Sequence, residues 1–283
     1  MNIKSKLMTA RRLVQRHCEL IAASLRKPGP TGWTAPVIVS LTTYPKRASG
    51  VHFTLLSLLD QTVRPQKIVL VLSRDQFPKE ERSLPRVLLR TLTKHRHVLD
   101  LIWTDGDDRS YKKLIPAVRK YPERPIITAD DDVLYDRDLV ERLWKAHQKW
   151  PDATIGTRGH AITQAPESKG IRPYSDWERP ITDRPHKSTL LTGVGGILYP
   201  PGVISGRSLD SGLFMTECPT ADDIWFKCAA MSSGVPAVMV SGGDCFVARI
   251  GTRSSGLWQL GANDGQLITA MEVHSLVASD FAD

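Results

Sequence analysis

The feature that most constrains this chain is a run of three carboxylates directly after a short apolar segment. Residues 125–129 read Pro-Ile-Ile-Thr-Ala, which is typical of a buried strand, and Asp130, Asp131 and Asp132 follow at once. Adjacent carboxylates repel one another, so a fold holds them at the end of a buried strand only if positive charge lies among them. A divalent metal is the usual source of that charge, and a metal held by Asp-x-Asp at a strand end usually also holds a diphosphate.

Apolar runs and helical patterns alternate around this acidic triplet, and this alternation predicts an α/β fold with a largely parallel sheet. Strands are predicted at 37–41, 67–72, 98–103 and 125–129, and helices at 51–60, 80–95, 112–120 and 136–150. After residue 150, glycine, proline and aromatic residues become frequent, and the predicted strands are short, at 155–158, 190–198 and 237–240. We expect this second half to form loops and short strands over the carboxyl edge of the first half.

The composition predicts an ordinary soluble globular protein. The chain has 283 residues, of which 41% are hydrophobic and 24% charged, so it can bury a sizeable core without disulfides or structural metal. The four cysteines, Cys18, Cys218, Cys228 and Cys245, show no Cys-x-x-Cys spacing. Their spacing argues against a zinc site and a disulfide framework and suits a reducing compartment.

The net charge is concentrated at the N-terminus. Residues 1–30 contain seven basic residues and one acidic residue, so they carry +6 of the net charge of +8. The near-neutral remainder argues against nucleic-acid binding, which needs basic residues clustered on a folded face. We therefore predict two parts, an N-terminal basic helix with its linker over 1–30 and one catalytic domain over 31–283.

An amphipathic helix is predicted over residues 3–26, and Pro28-Gly29-Pro30 ends it. Its apolar stripe comprises Ile3, Leu7, Ala10, Val14, Cys18, Ile21 and Leu25. Two interpretations stay open at this point: the helix packs on the protein body or a partner, or it lies on an anionic membrane surface. The chain has neither the ~18 consecutive apolar residues of a membrane span nor the apolar core of a signal peptide, so we expect a cytoplasmic protein, peripheral to the inner membrane face in the second case.

Two acidic motifs are candidates for chemistry, and each has a bland alternative. Asp130 and Asp132 suit Mg²⁺ or Mn²⁺ at the carboxyl end of a strand, whereas a helix N-cap would need only one aspartate. Asp222 and Asp223 precede an aromatic-rich helical segment. Neighbouring acids raise the pKa of one of them, which suits a general base, but they could also cap that helix.

Three further segments are weaker signals. The glycine-rich residues 192–201 allow close backbone approach to a ligand, yet they match neither the dinucleotide fingerprint nor a Walker loop. Lys112 and Lys113 could face phosphates, although a lysine pair is more often solvated. Trp177 could stack on a sugar ring, although a lone tryptophan more often packs in the core.

Taken in order, these segments resemble GT-A type glycosyltransferases, near glycosyltransferase family 2 and related bacterial enzymes. The resemblance rests on four segments and covers roughly residues 35–250: the opening strand and loop 37–45, the helix 55–62, the acidic triplet, and the acidic pair within 221–223. It implies a metal-dependent enzyme that moves a sugar from a nucleotide-diphosphate sugar to a glycan or glycolipid hydroxyl, with inversion, in bacterial cell-surface polysaccharide synthesis.

The same resemblance implies roles for individual residues. Asp130 and Asp132 would hold Mn²⁺ or Mg²⁺ on the donor diphosphate, with Asp131 supporting them. Asp223, beside Asp222, would be the base that deprotonates the acceptor. The remaining implied contacts are Thr42, Tyr44 and Arg47 at the nucleotide, Lys112 or Lys113 at the ribose or phosphates, and Trp177, Gly195 and Gly196 on the acceptor side.

The chain departs from the family pattern in three places. The second strand ends in Ser73, Arg74 and a displaced Asp75, where relatives often carry an acidic residue directly. The later pair is Asp-Asp where Glu-Asp is commoner, and the histidine that sometimes completes the metal site has only a late candidate, His274. 

Two rival classes are disfavoured. A metal-dependent sugar nucleotidyltransferase normally has a glycine-rich loop after the first strand, and residues 42–47 contain no glycine. A non-enzymatic protein that binds membranes or nucleic acid through its basic arm would not need two separated acidic motifs.

Overall fold

The computed structural model describes residues 11, 13–21, 33–165, 170–243, 245–248 and 263–282. A seven-stranded sheet organises this part of the chain. Its strands are β1 (Thr34–Thr42), β2 (Arg64–Ser73), β3 (Leu99–Thr104), β4 (Ile126–Ala129), β6 (Thr154–Gly156), β11 (Ile197–Tyr199) and β12 (Ala237–Met239). They lie in the order β12-β6-β11-β4-β1-β2-β3 across the sheet. Three antiparallel two-stranded pairs complete the strands: β5 (Val133–Tyr135) with β13 (Phe246–Ala248), β7 (Gly159–Ala161) with β10 (Thr189–Leu191), and β8 (Gln164–Ala165) with β9 (Gly170–Ile171).

Helices cover the sheet between these strands. The first, α1, comprises helical residue 11 and residues 13–21. The others are α2 (Pro45–Ala48), α3 (Val51–Leu59), α4 (Arg86–Lys94), α5 (Ile115–Lys120), α6 (Leu139–Lys149), α7 (Ser211–Glu217), α8 (Asp222–Ser232) and α9 (Asn263–Val273).

The sheet is mostly parallel, as the sequence predicts. β1 runs parallel to β2 and β4, β2 is parallel to β3, and β6 is parallel to β12. Only β11, between β4 and β6, runs antiparallel to its neighbours in this sheet. The prediction of an α/β fold with a largely parallel sheet is confirmed.

Each central strand contributes side chains to two hydrophobic cores, one on either face of the sheet. Val37, Val39 and Leu41 of β1 pack into one core, and Ile38 points into the other, because successive strand residues face opposite sides. Helices α3, α4 and α6 cover the first face, and α5, α7, α8 and α9 cover the second. Burial on both faces explains why these strands read as nearly continuous apolar runs.

Two predicted elements are divided in the structure. The helix predicted over 80–95 begins only at Arg86, because Pro85 holds Leu84 in an extended conformation after a 3₁₀ turn at Glu80–Ser83. The strand predicted over 190–198 is two strands, β10 and β11, separated by a 3₁₀ turn at Gly193–Gly195. That turn reaches the site described below.

The N-terminal helix packs on the body through a face that the sequence pattern does not single out. Leu13 and Leu20 are buried against Leu134 and Val247, and Arg16 donates hydrogen bonds to Asp60 Oδ2 at 3.0 Å and the carbonyl of residue 135 at 3.1 Å. The predicted stripe faces outward in this region: Val14 is 61% and Ile21 49% exposed, and Cys18 is exposed. The stripe's other members, Ile3, Leu7, Ala10 and Leu25, lie outside the described residues.

Within the described part of the chain, no helix combines the length and the apolar character that a membrane crossing requires.

Candidate active site

The candidate site lies at the carboxyl ends of β1 and β4. These strands are neighbours, and from β1 the chain continues to β2 on one side while β4 lies on the other. Open α/β sheets bind ligands in the crevice at such a reversal of strand order. Thr43, directly after β1, donates a hydrogen bond from Oγ1 to Asp131 Oδ2 at 2.5 Å, so the two strand ends are tied together.

Two basic side chains form ion pairs with the acidic triplet. Arg47 Nη1, on α2, lies 2.8 Å from Asp131 Oδ1 and 3.1 Å from Asp132 Oδ2. Lys113 Nζ lies 3.2 Å from Asp130 Oδ1. The positive charge that the sequence argument requires is therefore supplied in part by the protein itself. Helix capping does not account for the triplet, because the N-cap of α6 is Asp138.

The second acidic motif begins α8 and turns toward the first. The N-cap of α8 is Ala221, so Asp222 and Asp223 lie in the first turn and neither caps the helix. Asp223 Oδ2 instead accepts a hydrogen bond from the backbone N–H of Gly193 at 2.8 Å. Lys113 Nζ lies 2.9 Å from Asp222 Oδ2 and 3.8 Å from Asp223 Oδ1. The two acidic motifs, about ninety residues apart in the chain, thus meet around one ammonium group.

The pKa of Asp223 lies well above that of an ordinary aspartate. Removal from water raises its pKa to about 7, with Asp222 and Asp130 adding to the shift, while Lys113 and the Gly193 N–H oppose it. Burial likewise raises the pKa of Asp130, and Lys113 opposes that change. A carboxylate with a pKa near the working pH is well suited to take a proton from a hydroxyl group.

Of the residues predicted to border the nucleotide, Arg47 contacts the acidic triplet, whereas Thr42 and Lys112 bond to other parts of the protein. Arg47 is engaged with the triplet, and its guanidinium also lies 5.5 Å from the ring centroid of Tyr44. Thr42 donates from Oγ1 to the carbonyl of Val71 at 2.9 Å, which ties it to β2. Lys112, unlike Lys113, pairs with Asp107 and donates to Gln76 Oε1 at 3.1 Å.

The residues predicted for the acceptor side serve packing in this structure. Trp177 is 8% exposed and donates from Nε1 to the carbonyl of Arg172 at 2.8 Å. Gly196 has a φ of +79°, which favours glycine. A Cβ on Gly195 would lie 2.8 Å from Arg158 Cβ, so this glycine permits close packing of the turn. Their acceptor role stays a prediction.

Sequence reasoning missed two residues that the fold brings to the acidic pair. Gly193 belongs to the glycine-rich segment, and its hydrogen bond to Asp223 joins it to the acidic pair. Tyr174 is half-buried, 4.9 Å from Trp177 between ring centroids. Burial raises its pKa, and the charge of Asp223 raises it further, while Arg158 opposes the change. No sequence pattern marks Tyr174.

The carboxylate oxygens of the triplet are ligands of the type that a divalent metal prefers. In the described part of the chain, no group of three or more His, Cys, Asp or Glu side chains is arranged to hold a metal ion. Mg²⁺, however, is usually bound through one or two carboxylates, with phosphate oxygens and water completing its coordination. Asp130 and Asp132 supply two such carboxylates beside the crevice.

His274 is placed elsewhere. Its ring packs against Trp225, with 4.8 Å between centroids, and burial lowers its pKa to about 4, helped by the charge of Arg207. The structure gives it no contact with the triplet.

No protein-family model matches the sequence, and neither does any curated protein sequence. Solved structures do match. The mannosyltransferase PcManGT from Pyrobaculum calidifontis, in complex with GDP-Man and Mn²⁺, has a TM-score of 0.55 and 16% identity, over 94% of this chain and 73% of that chain. TarS 1-349 from S. aureus has a TM-score of 0.50 and 15% identity, and the match covers 81% of this chain and 65% of the TarS chain. The same TarS fragment in complex with UDP-GlcNAc has a TM-score of 0.50 and 12% identity, over 81% and 66%. These matches and the sheet described above show that the chain has a GT-A-type glycosyltransferase fold.

Proposed function

We propose that this protein is a glycosyltransferase that moves a sugar from a nucleotide-diphosphate sugar to an acceptor hydroxyl. One observation carries the proposal: the triplet after β4 and the acidic pair opening α8 converge on Lys113 at the carboxyl edge of a GT-A-type sheet. A donor site needs the first motif, and deprotonation of an acceptor needs the second. The fold is shared with structures that contain GDP-Man with Mn²⁺ or UDP-GlcNAc, which supports this class of donor.

On the donor side, Asp130 and Asp132 would hold Mn²⁺ or Mg²⁺. When bound, such an ion neutralises the negative charge that develops on a leaving diphosphate. Arg47 and Thr43 hold Asp131 in place through the contacts at 2.8 and 2.5 Å. Asp131, held in this way, would support the two outer carboxylates.

On the acceptor side, Asp223 would act as the base. Its carboxylate takes the proton of the acceptor hydroxyl while the acceptor oxygen bonds to the anomeric carbon and the bond to the diphosphate oxygen breaks. Attack from the face opposite the diphosphate gives inversion. Gly193 holds one carboxylate oxygen of Asp223 through its backbone N–H, which orients the base for this step.

The test is a panel of UDP-, GDP- and dTDP-sugars with and without Mn²⁺, read by thermal shift and by donor hydrolysis. We expect at least one donor to raise the melting temperature only with metal. Asp132→Ala should lose that response, whereas Asp223→Asn, nearly equal in shape, should keep it and lose turnover by about 10²–10⁴-fold. If no nucleotide sugar binds with metal present, the proposal is refuted. Formation of a nucleotide sugar from a nucleoside triphosphate and a sugar phosphate would support a nucleotidyltransferase instead.

The acceptor is proposed to be a glycan or glycolipid of bacterial cell-surface polysaccharide, reached at the inner face of the cytoplasmic membrane. The exposed apolar residues Val14 and Ile21 of α1, in a segment rich in basic residues, support this location. Helix α1 would then contact the body through one face and anionic lipid through the other.

Point substitutions test the membrane contact more cleanly than removing residues 1–30, because removal would uncover Leu134 and Val247. Val14→Glu together with Ile21→Glu should reduce sedimentation with phosphatidylglycerol vesicles. Ile268→Glu, at a site on α9 that is 58% exposed, is the matched control and should sediment as the wild type does. Equal sedimentation of all three proteins would exclude this contact.

A further inference from the structure

Lys113 is the residue around which the candidate site is built. Its side chain is 7% exposed, and its ammonium faces Asp222 at 2.9 Å, Asp130 at 3.2 Å and Asp223 at 3.8 Å. Those carboxylates come from two distant segments, after β4 and at the start of α8. In the described part of the chain, Lys113 is the residue whose ion pairs join both acidic motifs.

The backbone confines this ammonium. A Cβ built on Gly193 would lie 2.5 Å from Lys113 Nζ, so the absence of a side chain at residue 193 leaves the space that the ammonium fills. The N–H of the same residue holds Asp223. Lys113 is therefore held on one side by the turn at Gly193–Gly195 and on the others by carboxylates.

The ammonium of Lys113 lies 3.2 Å from Asp130 Oδ1, an oxygen that a metal ion held by Asp130 would need. We propose that Lys113 makes metal binding depend on the donor: its ammonium occupies Asp130 in the free enzyme, so that Mn²⁺ or Mg²⁺ binds tightly only together with a diphosphate. The diphosphate supplies the negative charge that lets two cations lie side by side. The dependence on diphosphate rests on the proposed function, whereas the competition for Asp130 does not.

The alternative is that Lys113 only stabilises the fold. If the ion pairs of Lys113 were purely structural, substituting Lys113 would make the protein less stable and leave its affinity for the metal unchanged. Competition predicts instead that the affinity for the metal changes: removing the ammonium strengthens the binding of Mn²⁺ alone, although it removes a polar contact from the site.

The experiment measures Mn²⁺ binding to the purified full chain by electron paramagnetic resonance of the free ion. Lys113→Met is expected to bind Mn²⁺ alone about tenfold or more tightly than the wild type. Lys67→Met is the matched control, since it removes a lysine near the start of β2 that pairs with Asp100 at 3.6 Å, and it should bind Mn²⁺ as the wild type does. The double variant Lys113→Met with Asp130→Asn should lose the gain, which locates it at Asp130.

A second measurement needs no variant. Wild-type protein should bind Mn²⁺ weakly alone and about tenfold or more tightly with UDP or GDP present. The proposal is overturned if the wild type binds Mn²⁺ equally well without nucleotide, if folded Lys113→Met shows no gain, or if the gain survives Asp130→Asn. Should no nucleotide bind at all, the glycosyltransferase proposal fails, but the comparison of Lys113→Met with the wild type on Mn²⁺ alone still decides the competition.

Discussion

Replacing Gly193 by alanine tests whether the site depends on a precisely held ammonium. The new Cβ would lie 2.5 Å from Lys113 Nζ and 3.0 Å from Asp223 Oδ1. Ordinary contacts begin at 3.4 Å, so Nζ would have to move by about 0.9 Å and Oδ1 by about 0.4 Å. Gly193 is not among the residues with positive φ, so the backbone itself accepts alanine.

The displaced ammonium has little room to move. Lys113 is almost entirely buried, and its contacts with Asp222 and Asp130 at 2.9 and 3.2 Å would lengthen. Overpacking of this kind costs about 1–3 kcal/mol of unfolding free energy. Of the two displaced groups only Asp223 is proposed to react. A reacting group misplaced by roughly 1 Å loses on the order of 100-fold in rate, so the shift of Asp223 Oδ1 by about 0.4 Å corresponds to a loss of about tenfold. We therefore expect Gly193→Ala to be folded but less stable, with kcat reduced far more than the donor KM is changed.

The assay combines urea unfolding with turnover of the donor found in the panel. Gly265→Ala is the matched control: it makes the same chemical change within helix α9, where an added Cβ meets nothing within 4 Å, and it should stabilise the protein by roughly 0.5–1 kcal/mol. If Gly193→Ala were as stable and as active as the wild type, the inference that the turn confines Lys113 would be refuted.

Three further outcomes follow from the site and the fold. Turnover should fall as the pH decreases below about 7, because Asp223 must be deprotonated to act as base. The folded protein holds this proton more tightly than the unfolded chain does, so the free energy of unfolding should decrease as the pH rises from roughly 4 to 7, and Asp223→Asn should flatten that slope in urea titrations. Arg47→Met leaves Asp131 without its guanidinium partner and should cost roughly 3 kcal/mol in the same assay, with Arg47→Lys recovering part of it. Leu20→Ala removes a buried contact of α1 and should cost about 2–5 kcal/mol; no loss would mean that α1 does not stay docked in solution.

Local patterns were enough to predict the sheet and the place of the triplet. The runs that form β1, β2, β3 and β4 are apolar because both faces of these strands are buried. Burial on both faces makes each segment almost continuously apolar, which is visible in the segment itself. The position of Asp130 directly after such a run follows from the same local reading. The breaks at Pro85 and at Gly193–Gly195 were harder to place, since a helix boundary or a short turn depends on a few residues.

The partners of the carboxylates were decided only by the tertiary structure. The sequence treats Lys112 and Lys113 as equivalent, yet the 3₁₀ turn at Arg109–Lys113 sends one to Asp107 and the other to the acidic cluster. Arg47 precedes Asp131 by 84 residues, so no local pattern relates them. Contacts between distant segments depend on how whole layers pack, and short-range periodicity carries no information about that packing.

The same division holds at the N-terminal helix and at the triplet itself. Helix α1 has apolar residues on two faces. Packing against Leu134 and Val247 determined that Leu13 and Leu20 are buried while Val14 is exposed. The sequence by itself determined that the triplet needs positive charge, because like charges at a buried strand end repel. Only the tertiary structure decided that Arg47 and Lys113 supply part of that charge, because it alone brings cations from distant parts of the chain within ion-pair distance.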